Sequence, residues 1–585
     1  MRKRWKYQPP DEKLQAHLAD SLRVSPLLAQ LLINRGMIDP PTAHAFLQPK
    51  LRNLSNPIPH PEMEKAALRL VQAVRGGEKI VIYGDYDVDG VSATALLLRC
   101  LTLLKARVSY YIPERIDEGY GLNTKAIERL AQEGTKVIVT VDCGITSTLE
   151  AELALEKGID LIITDHHEPG KKLPRAFAII NPKLPDSGFT FQGLSGAGVA
   201  FKLAWALGEV LSMHKRVSPE FREFLLNAVG LAALGTIADS VPLVGENRIL
   251  AKFGLDALGK STLPGIVALR EVADLNPPKT DSLSPYHVEF RLGPRLNAAG
   301  RLWDASISLE LLTTPSLEKA RRIAQFLEKK NRERQKLQLE TLEDAKEKVR
   351  KEVNLASTWV IVLSSEAWHP GVIGIVASRL VEEFNRPVVM IAQRGQIGYG
   401  SARSIPALHL HEALETVRKK LLSFGGHSQA AGLRIRQEDI EGFRTSINQF
   451  ASCTLKEEHL EPVLYTDGEL SLERLSLPQV RELEHLCPHG EGNPEPLFMT
   501  KDLRVAGQPC RLGTSGQHLS LYLRQGDVSF RAIAYNMGET LPKIERNPGP
   551  ISIAFTPKIN TWRNEVVELE VEDIKFAEGE SPPKR

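Results

Sequence analysis

The chain is poor in cysteine and in net charge, it lacks long apolar runs, and each shortage removes a class of protein. Its 5 cysteines (Cys100, Cys143, Cys453, Cys487, Cys510) form no CxxC pair in 585 residues. A scattered, odd set fits a reducing compartment better than a disulfide framework. Lys+Arg 74 against Asp+Glu 72 leaves a net charge of +2, which excludes binding through bulk positive charge and leaves room for a local basic groove. The most apolar run, 224–238, is interrupted by Asn227 and is too short to span a bilayer. The basic opening MRKRWKYQPPDEK has no apolar stretch behind it, so no secretory signal is expected. No GxxxxGK[ST] segment occurs, so ATP-driven unwinding is not expected. With 42% hydrophobic and 25% charged residues, what remains is an ordinary soluble globular protein, expected in the cytoplasm.

At about 150 residues per domain the length suggests about four domains. From residue 79 to 181, β-branched runs (KIVIY, RVSYYI, KVIVTV, IDLIIT) alternate with helical stretches such as VSATALLLRCLTLL (91–104). Strands apolar throughout, separated by helices, imply a parallel sheet covered on both faces. Residues 315–353 lack Gly and Pro after Pro315 and carry sparse apolar residues among many charges. They predict one long, solvent-bridging helix capped by Thr314, with Pro315 at its first position. TWVIVLSS and PVVMIAQR flank GVIGIVASRLVEEF as a second, smaller α/β unit. From about residue 463, HLSLYLR, VSFRAIAY, PISIAF and VVELEVEDI alternate with period two, predicting a small antiparallel barrel or sandwich.

The chemistry concentrates at strand ends. GDYDVDG (84–90) follows a strand and precedes a helix, with Asp85, Asp87 and Asp89 at alternate positions. Carboxylates this close repel, and a multivalent cation satisfies them. An EF-hand loop starts similarly, but Leu96 stands where its closing Glu belongs and a strand precedes the motif. KVIVTV runs into Asp142, and LIIT into Asp165, His166 and His167. In a parallel sheet such ends share one edge. Carboxylates with one or two imidazoles suit Mn²⁺ or Mg²⁺ better than structural zinc.

DYDVDG, VDCGI and DHH, followed by GTIAD (235–239), resemble the ordered motifs of the DHH phosphoesterase superfamily. RLGPRLNAAGR (291–301), WHPGVIGIVASR (368–379), GSARS (400–404) and GGHSQAAG (425–432) narrow the resemblance to its RecJ family of single-strand-specific exonucleases. The resemblance implies a DHH-type parallel-sheet catalytic domain (61–314) after an N-terminal segment (1–60). A linking helix (315–353), a DHH-associated phosphate- and DNA-binding domain (354–455), an OB-fold barrel (456–575) and a disordered tail (576–585) follow. Asp87, Asp89, Asp142, His166 and Asp239 are the implied ligands of two Mn²⁺ or Mg²⁺ ions, with Asp142 as bridge. His167 is implied to face the scissile phosphate and Asp165 to support its neighbours. Many relatives have His where this chain has Tyr83, so one metal site is expected to lean on Asp85 or water.

By the same resemblance Arg295, Asn297, Arg301, His369, Gly425, Gly426 and His427 bind DNA near the scissile phosphate. Arg115, Ser401 and Arg403 are implied to recognise the 5′ end. The glycine-rich GGHSQAAG is expected to be a turn into a helix that offers backbone N–H groups to phosphate. The implied activity is 5′→3′ hydrolysis of single-stranded DNA to mononucleotides in recombination and repair. Implied partners are single-stranded DNA, a helicase and a single-strand-binding protein, with no membrane and a monomeric chain. The rivals are a DHH phosphodiesterase acting on short oligonucleotides or cyclic dinucleotides, a pyrophosphatase, and an inactive DNA-binding scaffold. Tyr522, Phe530, Tyr535 and Phe555 are candidate stacking aromatics, each more readily read as core. GLSGAGVA (193–200) reads as a helix start with small-residue packing, and His409 and His411 as surface or capping residues.

Overall fold

The computed structural model describes residues 3–115, 118–213, 216–276, 282–561 and 564–576. It divides into two compact units, Leu51–Val241 with Gly245–Glu461, and Met1–Lys50 with Pro242–Val244 and Pro462–Arg585. The tail expected at 576–585 lies, from 577 on, outside the described residues.

The larger unit opens with a five-stranded sheet, β1 (Ile80–Tyr83), β2 (Val108–Tyr111), β3 (Val137–Val141), β4 (Asp160–Thr164) and β5 (Ala178–Ile180). All pairs are parallel, in the order β2-β1-β3-β4-β5. IVIY and VIVTV are buried along their whole length, the pattern of a sheet covered on both faces. Val81, Tyr83, Ile138 and Ile163 pack on one side with Ile127, Leu130, Ala151 and Ala154 from two covering helices. On the sheet's other face lie α1 (Pro61–Gly76), α2 (Val88–Leu103) and α3 (Gly196–Leu211), and α4 (Pro219–Ala238) packs on α2 and α3. From β1 the chain steps to β2 on one side and returns to β3 on the other, so a topological switch point lies between β1 and β3. Such a crevice at the carboxyl edge is where open parallel sheets bind ligands.

Two boundaries depart from the sequence expectation. α2 begins at Val88 rather than 91, because Asp87 caps it by accepting the Gly90 N–H at 3.0 Å; this draws Asp89 into the first turn. α4 is 20 residues long, reaching well before the apolar run at 224–238, and is long and apolar enough to cross a membrane. Residues 228–237 of α4 are buried against its neighbours, the condition of a core helix.

After α5 (Gly293–Leu302), the long helix α6 (Leu317–Glu352) is capped not by Thr314 but by Ser316, whose hydroxyl accepts the Lys319 N–H. α6 is not simply solvent-bridging. Ala320, Ala324, Leu327, Asn331, Thr341, Ala345 and Val349 form one buried stripe, along which α5 and then α7 (Pro370–Phe384) pack. Mostly small residues make this stripe, so it carries little apolar signal.

The second module of this unit is the sheet of β6 (Ile361–Ser365), β7 (Val388–Arg394), β8 (Ile397–Arg403), β9 (Ser423–Gly426) and β10 (Ala430–Arg436). Its order is β9-β10-β8-β7-β6, parallel only between β6 and β7, which α7 connects. GGHSQAAG is a strand–turn–strand hairpin within it, not a turn into a helix. Ala431, Leu433 and Ile435 are buried at every second position, and that period of two makes the downstream half a strand.

In the smaller unit, Phe498–Leu512, His518–Gln525, Val528–Ala534, Val566–Phe576 and Ile551–Asn560 pair in this order, and the last returns to the first, closing a barrel. The pairing of Val528–Ala534 with Val566–Phe576 is parallel, so the barrel is mixed rather than wholly antiparallel. Helices Glu12–Leu22, Pro26–Asn34 and Pro40–Leu47 add Leu18, Leu28, Leu31 and Phe46 to its core. Phe555 is fully buried there and Phe530 packs against it, while Tyr522 and Tyr535 are each 51% exposed.

Candidate metal centre and phosphate pocket

Each acidic motif leaves its strand at the carboxyl edge and is fixed by backbone groups. Asp89 accepts the Gly196 N–H at 2.6 Å and the Ala197 N–H at 2.9 Å, so the start of α3 orients its carboxylate. The approach admits only glycine, since a Cβ at Gly196 would stand 2.6 Å from the Asp142 Cβ. Asp142 follows β3 in the left-handed region, φ 63°, a costly conformation for a residue with a Cβ. The surroundings hold it: its N–H donates to Thr164 O at 3.0 Å, and its carbonyl accepts the Tyr120 hydroxyl at 2.9 Å. Asp239 terminates α4, where the helix dipole opposes a negative charge and favours a nearby cation.

Three donor groups result, in each of which the ligand atoms lie within 4.8 Å of one another: Asp142 with His166 and His167, Asp89 with His166 and Asp239, and Asp85 with Asp87 and Asp142. Asp142 belongs to two groups and His166 to two. His166 Nε2 stands 3.0 Å from Asp142 Oδ1, 3.6 Å from Asp239 Oδ2 and 3.9 Å from Asp89 Oδ2. Ligands about 2.1 Å from an octahedral ion sit about 3 Å apart, which matches the shortest of these separations. Asp85 Oδ1, Asp142 Oδ1 and Asp239 Oδ2 are buried without a hydrogen-bond partner among the described residues. Orphaned anionic oxygens at hard-ligand spacing fit a divalent cation.

The electrostatics agree. Burial first, then the neighbouring carboxylates, pushes Asp85, Asp89 and Asp142 well above the usual carboxylate range, and burial with Asp87 lifts Asp239 to about 6. Burial pushes His166 down to about 3, leaving a neutral imidazole of the kind that ligates metal. Asp165 belongs to none of the donor groups. It accepts the N–H groups of Ile145 (2.9 Å), His166 (2.7 Å) and His167 (3.1 Å), and its Oδ1 lies 2.8 Å from His167 Nδ1. Burial works against a charge on His167, but this hydrogen bond and the Asp165 charge outweigh it and raise the ring to about 8. Tyr83 turns away: its hydroxyl donates to Gly121 O and accepts from Asn123, each at 3.1 Å. Asp85, by contrast, is one of the gathered ligands.

A second, opposite cluster flanks the first. Burial, then the charges of Arg115, Arg334 and Arg403, pushes the Arg301 guanidinium down to about 9. Among the described residues, none of these four is ion-paired with a carboxylate. Arg115 lies over the Tyr86 ring at 4.9 Å, Arg403 reaches Ser401 Oγ at 3.3 Å, and Arg301 reaches Gly371 O at 3.4 Å. His369 caps α7 there by accepting the Gly371 N–H. The Gly425–Gly426 hairpin carries His427 to a stacked position 6.0 Å from the His167 ring. Arg295 is committed elsewhere, to Glu328 at 2.7 Å and to Arg291 O, and Asn297 is half-buried on α5. Tyr120, the Gly196 and Ala197 amides and Arg334 were not singled out from the sequence for these roles. The helix start expected at 193–200 is present, with Ser195 as the cap of α3, but it did not point to the amides' role.

A parallel sheet with DxD, Asp and DHH ligand sets along its carboxyl edge, followed by a small mixed-sheet module, defines a DHH-type phosphoesterase. Models of the DHH family N-terminal domain, the DHHA1 domain and the RecJ OB domain match residues 79–235, 356–452 and 466–573. The chain is 38% identical over 579 residues to the single-stranded-DNA-specific exonuclease RecJ of Bacillus subtilis, covering 98% of this chain and 71% of that protein. To the Escherichia coli protein of the same name it is 37% identical, covering 94% and 96%. The crystal structure of Thermus thermophilus RecJ in complex with Mn²⁺ superposes with a TM-score of 0.83 at 33% identity, covering 99% of this chain and 80% of that one. The chain belongs to the RecJ family.

Proposed function

We propose that this chain is a Mn²⁺- or Mg²⁺-dependent exonuclease that hydrolyses single-stranded DNA from the 5′ end to mononucleotides. The observation that carries it is the largely buried cluster of Asp85, Asp87, Asp89, Asp142, His166 and Asp239, three of whose oxygens lack hydrogen-bond partners among the described residues, set beside four guanidiniums with no ion-paired carboxylate among those residues. Asp87, Asp89, Asp142, His166 and Asp239 hold the ions, with Asp85 in place of the histidine that Tyr83 replaces. Two such ions supply an activated water and charge neutralisation at a phosphodiester. The chain's own groups do the rest. His167, held through Nδ1 by Asp165, presents Nε2 as a donor to the phosphate. Arg301 and His427 hold the phosphate's other oxygens, and Arg115, Ser401 and Arg403 form the pocket for a 5′ terminus, which sets polarity. No serine or cysteine nucleophile is required.

The division at residues 60, 314, 353, 455 and 575 separates the N-terminal segment, catalytic domain, linking helix, phosphate-binding domain and barrel in this reading. A cytoplasmic, monomeric enzyme that takes strands from a helicase, works beside a single-strand-binding protein and serves recombination and repair completes it. The test is digestion of one single-stranded oligonucleotide labelled at either end, with Mn²⁺, Mg²⁺ or EDTA. Immediate release of 5′-labelled mononucleotide and a shrinking ladder from the 3′ label are expected only with metal. Cleavage confined to very short or cyclic dinucleotides would replace this reading with the small-substrate phosphodiesterase.

A further inference from the structure

We propose that Trp303, backed by Phe326 and Lys330, is a stacking platform for a nucleobase adjacent to the reacting phosphate. The proposal rests on the single-stranded DNA reading above. Trp303 is 64% exposed, a costly state for the largest apolar side chain. It is nevertheless held in place: Lys330 Nζ lies 5.1 Å from its ring centroid and 5.7 Å from that of Phe326, and the two rings meet edge to face at 6.4 Å. Lys330 is itself fixed by Glu333 at 2.8 Å. Trp5, Trp205 and Trp368 donate their indole N–H groups to Asp573, Glu209 and Asp344, whereas that of Trp303 has no partner among the described residues. An immobilised indole with an open surface and a free N–H is a pre-organised surface for a flat, polar-edged ring.

Its position ties it to the centre. Trp303 directly follows α5, and a Cβ at Gly300 in that helix would stand 2.7 Å from Tyr86 O, between Asp85 and Asp87. Arg301, two residues away, is the focus of the guanidinium cluster. On α6, Lys330 and Arg334 are four residues apart, about 6 Å along one face. One face of the long helix thus presents a guanidinium of the cationic cluster and then the support of an aromatic ring, a spacing that suits a phosphate followed by a base. The cation under the ring adds sequence-independent attraction to stacking, which suits an enzyme that must accept every base.

The test is anisotropy of a labelled single-stranded oligonucleotide bound by the full chain in EDTA, comparing the parent with Trp303→Ala and Trp303→Phe. A set of oligonucleotides, each with one abasic position, is titrated alongside. Loss of one stacked base predicts about tenfold weaker binding by Trp303→Ala, with Trp303→Phe within about threefold of the parent. One abasic position should weaken the parent by the same factor and add nothing to Trp303→Ala. Equal affinity of parent and Trp303→Ala, or an abasic penalty that persists in Trp303→Ala, overturns the platform. Metal-dependent digestion by the parent is scored separately: if it degrades no single-stranded DNA, the functional reading fails and the platform with it. If it does while Trp303→Ala binds normally, only the platform fails.

Discussion

At the carboxyl edge of the parallel sheet, Asp85, Asp87, Asp89, Asp142 and Asp239 gather with no lysine or arginine paired to them among the described residues. Beside them, Arg115, Arg301, Arg334 and Arg403 gather with no carboxylate paired to them among the described residues. Burial acts on both in opposite directions, raising the acids and lowering Arg301, because in each case it disfavours the charged form. The two differ in how they are held. Asp87 and Asp89 are bound to backbone N–H groups, and Asp142 is held at a φ of 63° by its hydrogen bonds to Thr164 O and from the Tyr120 hydroxyl, so the acidic half is ordered before anything binds. The guanidiniums sit at the ends of long side chains, and among the described residues they contact carbonyls, hydroxyls, side-chain amides and a ring. A rigid ligand set suits ions that demand fixed coordination geometry. An adjustable cationic wall suits a phosphate that arrives in a flexible strand.

The largest test of this contrast removes an acid. Asp89→Ala should lower turnover at least about a thousandfold and abolish stabilisation by Mn²⁺ in thermal melts, while single-stranded DNA binding in EDTA stays within about threefold. Loss of binding together with turnover would mean that the two halves are one site. A second test uses protons. Folded-state pKa values raised above the unfolded ones mean that the native state binds more protons, so stability is full below the unfolded value and falls as pH rises through the folded one. Asp239 should therefore cost the metal-free protein stability from about pH 4 through about 6, joined by Asp85, Asp89 and Asp142 and opposed by His166, whose folded value of about 3 lies below that of a free imidazole. Asp239 alone carries on the order of 2–3 kcal/mol of this. Saturating Mn²⁺ should flatten that slope; urea melts at pH 5, 6 and 7.5 with and without metal measure it.

On the cationic side, Arg403→Ala should cost about tenfold to a hundredfold in affinity for a 5′-phosphorylated oligonucleotide, the worth of charge-assisted hydrogen bonds. The Mn²⁺-induced shift in melting temperature should not change. Equal loss with a 5′-hydroxyl oligonucleotide would remove Arg403 from the terminal pocket. The smallest effect belongs to Tyr120→Phe, which deletes the hydroxyl between Asp142 O and His167. A fall in kcat of about twofold to tenfold is expected, with metal affinity measured by calorimetry unchanged. A large loss of metal affinity would instead make Tyr120 a support of the acidic half.

How legible each half was follows from how it is built. DYDVDG, VDC and DHH are contiguous motifs that end strands, so three sequence windows reveal most of the acidic half. Asp239 was less visible, because an apolar helix end carries no acidic pattern. Arg334, Tyr120 and the amides of Gly196 and Ala197 have no local signature. They come from a charged helix, a loop and a small-residue helix start whose roles exist only once α6, α3 and the sheet are packed. The hairpin at 425–432 shows the same limit, since its glycines suit either a helix start or a tight turn, and burial of Ala431, Leu433 and Ile435 selects the strand.

Alone, the sequence determined the β-branched runs, the acidic residues that end them, and the period-two strands of the barrel. These depend on neighbours within a few residues, and parallel pairing then carries every strand end to one edge. Tertiary structure alone decided that Phe555 fills the barrel while Tyr522 is exposed, that α6 buries a stripe of small residues, and that Arg295 pairs with Glu328 while Arg301 pairs with no carboxylate among the described residues. Burial and charge pairing sum over residues distant in the chain, and no short window contains that sum.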